Sequence, residues 1–106
     1  MTPELAADYL RELSADIRAV AILAPDGTPL AGEPELASAA RRLLDAAPDA
    51  AEIEVASAGG TIHAARSDEH AVVAVCGRFA LPALIRYDLK IVLAELAGGS
   101  GDRQAA

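Results

Sequence analysis

A chain of 106 residues with 9 basic and 16 acidic side chains, net charge -7, is a single domain that buries about 60 to 70% of its unfolded surface, and its charge opposes loading onto nucleic-acid phosphates or an anionic bilayer. No apolar run approaches the ~20 residues of a membrane span, and Met1-Thr2-Pro3-Glu4 lacks the regions of a signal peptide, so a cytoplasmic protein is expected. The single cysteine, Cys76, permits no internal disulfide, and two tyrosines and one phenylalanine limit base stacking and aromatic ligand cages.

Thr2 is placed to cap a first helix over about 3–15, with Pro3 in the first position and Leu5, Tyr9, Leu10 and Leu13 at helical spacing. Next comes Ile17-Arg18-Ala19-Val20-Ala21-Ile22-Leu23-Ala24, a strand without polar alternation. Such a strand must be covered on both faces, since each exposed aliphatic side chain forgoes roughly 1.5 to 3 kcal/mol of burial. Pro25-Asp26-Gly27 turns it into a short second strand near 28–31, and the hairpin is expected in mid-sheet, between two layers of helix. Gly32-Glu33-Pro34-Glu35 opens a second helix with acidic residues at its positive end. Leu36, Ala40, Leu43, Leu44 and Ala47 form its apolar stripe, and Pro48 stops it.

The third strand, about 51–57, alternates: Ile53 and Val55 point one way, Glu52 and Glu54 the other, as on an edge strand with one wet face. A two-residue turn at Gly59-Gly60 would set Val55 against Ala64 and Ile53 against Arg66. Ile53, Val55, Ile62 and Ala64 would then share one face, with Glu54, His63 and Ala65 on the other. After a turn at Asp68-Glu69, Ala71-Val72-Val73-Ala74-Val75-Cys76 is again apolar on both faces, a central strand and the natural neighbour of the first. Leu81, Leu84, Ile85, Leu89, Val92, Leu93 and Leu96 make a closing amphipathic helix. One domain over 1–97 and a disordered glycine-rich tail over 98–106 follow from this pattern.

The order αββαβββα describes an α+β fold, a five-stranded, mostly antiparallel sheet between helix layers. It resembles the roadblock/LC7 (dynein light chain, MglB-like) family from Leu13 to about Leu96. The carriers are Ile17-Arg18-Ala19-Val20-Ala21-Ile22-Leu23 leading to Asp26-Gly27, then Ala71-Val72-Val73-Ala74-Val75, and Leu81-Pro82-Ala83-Leu84-Ile85-Arg86 opening the last helix. Profilin-like domains share similar layers. The resemblance implies a non-catalytic homodimer that pairs the second helix with its twin and joins sheets through the third strand. Such a module serves as a regulator or scaffold for a small Ras-like GTPase, here in bacterial signalling or polarity. On this reading the dimer interface comprises Leu36, Ala40, Leu43, Leu44, Ala47, Ile53 and Val55, and an open strand edge with an alanine-studded helix suits a two-fold axis. A two-fold through Ile53 would set Glu52 opposite the other copy's Glu54, destabilising by about 0.2 to 1 kcal/mol unless the register shifts or a base such as His63 or Arg66 intervenes. The alternative reading is a profilin-like small-ligand sensor or protein-interaction domain, with Ser57 and Thr61 as the nearest polar candidates for its pocket.

No enzyme is expected. Cys76 ends an apolar strand as an inert core thiol, and His63 and His70 do not form a pair, leaving no metal or cofactor site. Asp26-Gly27 is only a turn, and Gly98-Gly99-Ser100-Gly101 precedes no helix that would make it a phosphate loop. Glu35, Arg41, Arg42 and Asp45, the polar face of the second helix, are the candidate partner surface. An i,i+4 pair of Arg41 with Asp45 would contribute only ~0.3 kcal/mol.

Overall fold

The computed structural model describes residues 1–105, with side chains described for 1–56 and 58–98. Its elements are α1 (Pro3–Leu13), β1 (Ile17–Leu23), β2 (Pro29–Gly32), α2 (Pro34–Ala46), β3 (Glu52–Ser57), β4 (Gly60–Arg66), β5 (Ala71–Gly77) and α3 (Pro82–Ala105). The strands form one sheet in the order β2-β1-β5-β4-β3, and all four pairings are antiparallel.

β1 and β5 are neighbours at the centre, as their double-sided hydrophobicity requires: Val20, Ala21, Ile22 and Leu23 are fully buried, alternating between two cores. The first hairpin as a whole, however, is not mid-sheet. β2 is an edge strand, and Pro29, which has no N–H to give to a further neighbour, suits that position. Gly32 ends β2 at φ +96°, and a Cβ there would lie 2.0 Å from the Val20 carbonyl oxygen. Only glycine fits so close an approach.

α1 and α3 cover one face of the sheet. Ala6, Ala7 and Leu10 of α1 and Ile85, Leu89, Val92, Leu93 and Leu96 of α3 pack there on Val20, Ile22, Val72, Ala74 and Cys76. Leu5, Tyr9 and Leu13, expected as part of the apolar stripe of α1, face outward instead, because the alanine face lets the helix approach the sheet most closely. Leu81 and Leu84 are likewise exposed, since the inward direction of α3 is set by Ile85, Leu89, Val92 and Leu96. On the other face α2 alone packs Leu36, Ala37, Ala40 and Leu44 against Ala21, Leu23, Ala64 and Val73.

The Thr2 hydroxyl accepts from the Leu5 N–H at 3.2 Å, capping α1 as expected. Glu33, expected to serve the positive end of α2, makes no cap there. Its carboxylate accepts from the Val20 N–H and from Arg11, each at 2.8 Å, tying α1, β1 and the start of α2 together. Burial alone would raise its pKa, but these donors hold the carboxyl below its ordinary range.

The β3–β4 turn is Ala58-Gly59, with Ser57 opposite Gly60, so Val55 faces Ile62 and Ile53 faces Ala64, two residues away from the expected register. A slip of two leaves every side chain on its expected face. The turn falls there because Gly60 belongs to the strand: a Cβ on it would stand 1.9 Å from the Cys76 carbonyl oxygen of β5. His63 faces Ala74, as expected. The backbone of α3 runs helical past Leu96 to Ala105. The expected tail, 98–106, falls almost wholly on side chains outside the described residues.

Candidate functional site

α2 lies over β1 and its neighbours β2 and β5, too far from β3 to cover it. This leaves the α2-side face of β3, and of β4 at Ile62, open, while Ala64 of β4 stays buried under α2. Val55 is 39% exposed and Ile53 and Ile62 are half-buried. Between them and α2 runs an apolar cleft of about 210 Å³, walled by Ala39, Leu43, Val55 and Ile62, with the largely buried Leu36, Ala40 and Val73 at its floor.

The residues expected at a dimer interface separate into two groups. Leu36, Ala40 and Leu44 are buried in the chain's own packing of α2 on the sheet. Leu43, Ala47 and Ile53 are half-buried and Val55 is exposed, so these remain open to a second surface, joined by Ala39, which the periodicity did not single out.

Beside the cleft, β3 pairs only with β4 among the described strands, and its outer edge is open. On its opposite face, α3 supplies cations to its glutamates: Lys90 lies 3.3 Å from Glu52 and Arg86 3.3 Å from Glu54. His63, only 2% exposed, sits with Nδ1 3.6 Å from the same Glu54 oxygen. Burial lowers the His63 pKa; Glu54 works against that shift and Arg86 with it. The cations beside these glutamates thus belong to α3 rather than to Arg66, and no strand periodicity could reveal the facing positions of α3.

Arg66 is engaged elsewhere. Its Nε donates to the Ala50 carbonyl at 2.7 Å and its Nη1 to Leu44 at 3.2 Å, while Nη2 donates to Ala47. The guanidinium thus gathers three carbonyls at and just beyond the C-terminal end of α2, adding to the Ala47 N–H on the Leu44 carbonyl and the Ala50 N–H on the Ala47 carbonyl, where a cation also suits the helix dipole. The sequence offered no local sign of this, because donor and acceptors are separated by 16 to 22 residues.

Glu35, Arg41, Arg42 and Asp45 are all exposed on α2. Arg41 forms no ion pair with Asp45 among the described residues; its side chain runs along Gly27, toward which its Cδ and Nε approach to 3.0 Å from a Cβ position. There it adds to the lowering of the Asp26 pKa, whose largest cause is the hydrogen bond with Thr28. Arg41, Asp45, Arg66 and His70 border an open cavity of about 440 Å³ at the end of α2. His63, in mid-β4, and His70, at the β4–β5 turn, stay apart. Cys76 is 1% exposed, and burial pushes its thiol up to about 11, the opposite of an activated nucleophile.

A five-stranded antiparallel sheet with two helices on one face, one on the other, and an open edge beside the single helix defines the roadblock/LC7 class of fold. Among solved structures the chain is similar to a roadblock/LC7 domain from Streptomyces avermitilis, with a TM-score of 0.71 and 13% identity over 92% of this chain and 97% of that one. It is also similar to Myxococcus xanthus MglB, with a TM-score of 0.73 and 14% identity over 93% of this chain and 87% of that one. Acanthamoeba castellanii profilin IB shares the layers at a TM-score of 0.65 and 13% identity over 92% of this chain and 99% of that one. No protein-family model and no curated protein matches the sequence. The chain has the roadblock/LC7 fold.

Proposed function

We propose that this chain is a cytoplasmic, non-catalytic homodimeric regulator or scaffold of the roadblock type, acting on a small Ras-like GTPase. The observation that carries the reading is the uncovered apolar cleft between α2 and the β3–β4 face, lying directly beside an open strand edge. A two-fold axis there would cover Ala39, Leu43, Ile53 and Val55 with their own counterparts and give β3 a partner strand. The opposition of Glu52 and Glu54 across that axis is softened because Lys90 and Arg86 already attend them. Among the described residues the cleft is lined by apolar side chains and Thr61 does not line it, which favours a protein contact over a ligand-sensing pocket. Glu35, Arg41, Arg42 and Asp45 border the paired helices and supply the polar surface for the partner. The partner assignment rests on fold analogy and on the sequence resemblance.

Val55→Asp tests the dimer. At low micromolar concentration the wild type is expected at twice its chain mass of 10.8 kDa and the variant at the chain mass, with unchanged circular dichroism. A folded variant that stays dimeric removes this interface. For the partner, the immobilised protein is exposed to lysate of its source organism with a non-hydrolysable GTP analogue or with GDP. A Ras-like GTPase recovered in one nucleotide state supports the assignment, and its absence from both, with a folded dimer on the resin, ends it.

A further inference from the structure

Among the described residues the buried polar side chain of the core is His63, 2% exposed in the middle of β4, and its Nδ1 has no hydrogen-bond partner. Buried polar atoms are nearly always hydrogen-bonded, so an orphaned ring nitrogen asks for a reason. The nearest acceptor stands just out of reach. Glu54, opposite His63 on β3, holds its Oε1 3.6 Å from Nδ1, and the same oxygen lies 3.3 Å from Nη1 of Arg86 on α3. A neutral ring gains little from a carboxylate at that distance, whereas an imidazolium closes the gap and shares Glu54 with Arg86.

The other groups around the ring leave Glu54 as its counter-ion. Glu52, at the next position on the same face of β3, is held by Lys90 of α3 at 3.3 Å. On β5, Ala74 lies opposite His63, and Cys76 beyond it keeps its proton, its thiol pushed up to about 11. Within one chain, burial opposes the charged ring and outweighs the pull of Glu54, so His63 stays neutral at neutral pH.

Glu54 belongs to the strand whose outer edge is open. With the two-fold at Ile53, Glu52 of a second copy stands opposite Glu54 and about 10 Å from His63, two strand spacings away. The ring is already out of water in a single chain, so closing the edge takes little further hydration from it. What the second copy adds is charge. Its carboxylates lie on the strand nearest the axis, the cations that attend them reach over from α3 behind, and the whole chain carries -7. All of this favours the protonated ring.

We propose that the β3 contact is proton-linked: His63 of each copy takes up a proton as two copies join, so the dimer tightens as pH falls from neutrality. The inference rests on the α2/β3 dimer proposed above. By linkage, a dimer that binds more protons than its separated chains gains affinity in acid. The other histidine, His70, sits in the β4–β5 turn and serves as the control.

Sedimentation equilibrium at about pH 7.5 and 5.5 decides it. The Kd of the wild type and of His70→Gln is expected to fall at least about threefold over that range, while His63→Gln and Glu54→Gln, folded by circular dichroism, hold one Kd at both. The ring resonance of His63 should also titrate at higher pH in the wild-type dimer than in the Val55→Asp monomer, a readout that needs no substitution at the histidine. A Val55-dependent dimer whose Kd ignores pH, or a dependence that survives in His63→Gln, overturns the proton linkage alone. A wild type that is monomeric at both pH values, or a dimer that Val55→Asp leaves intact, overturns the α2/β3 reading and this proposal with it.

Discussion

Replacing Arg66 by methionine keeps most of its stem in place but removes the donors that hold the Leu44, Ala47 and Ala50 carbonyls. A hydrogen bond to a charged group contributes about 1.5 to 3 kcal/mol. Three such bonds do not sum fully here, because the Leu44 and Ala47 carbonyls keep the backbone N–H donors of Ala47 and Ala50, and the site borders an open cavity of about 440 Å³ that gives water access. The expected loss is about 2 to 4 kcal/mol, a large share of the ~5 to 15 kcal/mol typical of a domain. At roughly 4 to 8 °C per kcal/mol for a chain near this size, Tm should fall by about 8 to 32 °C. Urea unfolding at fixed protein concentration, which keeps association from entering the comparison, should show a lower midpoint with an unchanged slope. Arg66→Lys should recover only part of the loss, since one ammonium cannot spread its donors over three carbonyls as the guanidinium fork does. A loss below about 0.5 kcal/mol for Arg66→Met, or full recovery with lysine, would refute the capping argument.

Gly32→Ala places a methyl group 2.0 Å from the Val20 carbonyl oxygen at a backbone angle that L-residues avoid. It should destabilise by about 3 kcal/mol or more, and a near-neutral result in urea titration would show that β2 can shift away from β1. His63 makes the third case. Its pKa is lowered by burial, so the unfolded chain takes up the proton first, and stability is full above the ordinary value of 6.5 and declines as pH falls through it. His63→Leu should remove that component, so the difference in Tm between variant and wild type should move in the variant's favour between about pH 7.5 and 5.5; a pH-independent difference would mean that the ring takes up its proton as readily in the folded chain as in the unfolded one.

The fold was legible in particular residues. The unbroken apolar character of Val20 to Leu23 and of Ala71 to Cys76 required two central strands, and the alternation of Glu52, Ile53, Glu54 and Val55 required an edge strand. The placement of β2 was not legible, because a four-residue strand carries too few side chains to declare whether it has one neighbour or two. The β3–β4 register escaped for a related reason: both glycines can turn, and only the Cys76 carbonyl on β5 excludes a side chain at Gly60. Of the expected interface, Ile53, Val55, Leu43 and Ala47 remain accessible. Leu36, Ala40 and Leu44 are buried, because a helix with one apolar stripe spends it on its own sheet, and Leu36 and Ala40 reach the cleft only at its floor.

By itself the sequence determined the element order, the central strands, the edge strand and the burial of Cys76, since periodicity and local composition act over neighbouring residues and survive without knowledge of the partners. Tertiary structure alone decided which apolar face stays uncovered. It also assigned Arg66 to the end of α2, Glu33 to β1, Arg86 and Lys90 to the glutamates of β3, and the aromatic residues to the outside of the helix pair. Each of these joins groups far apart in the chain, and their meeting depends on how closely alanine-faced helices approach the sheet and at what angle they cross it.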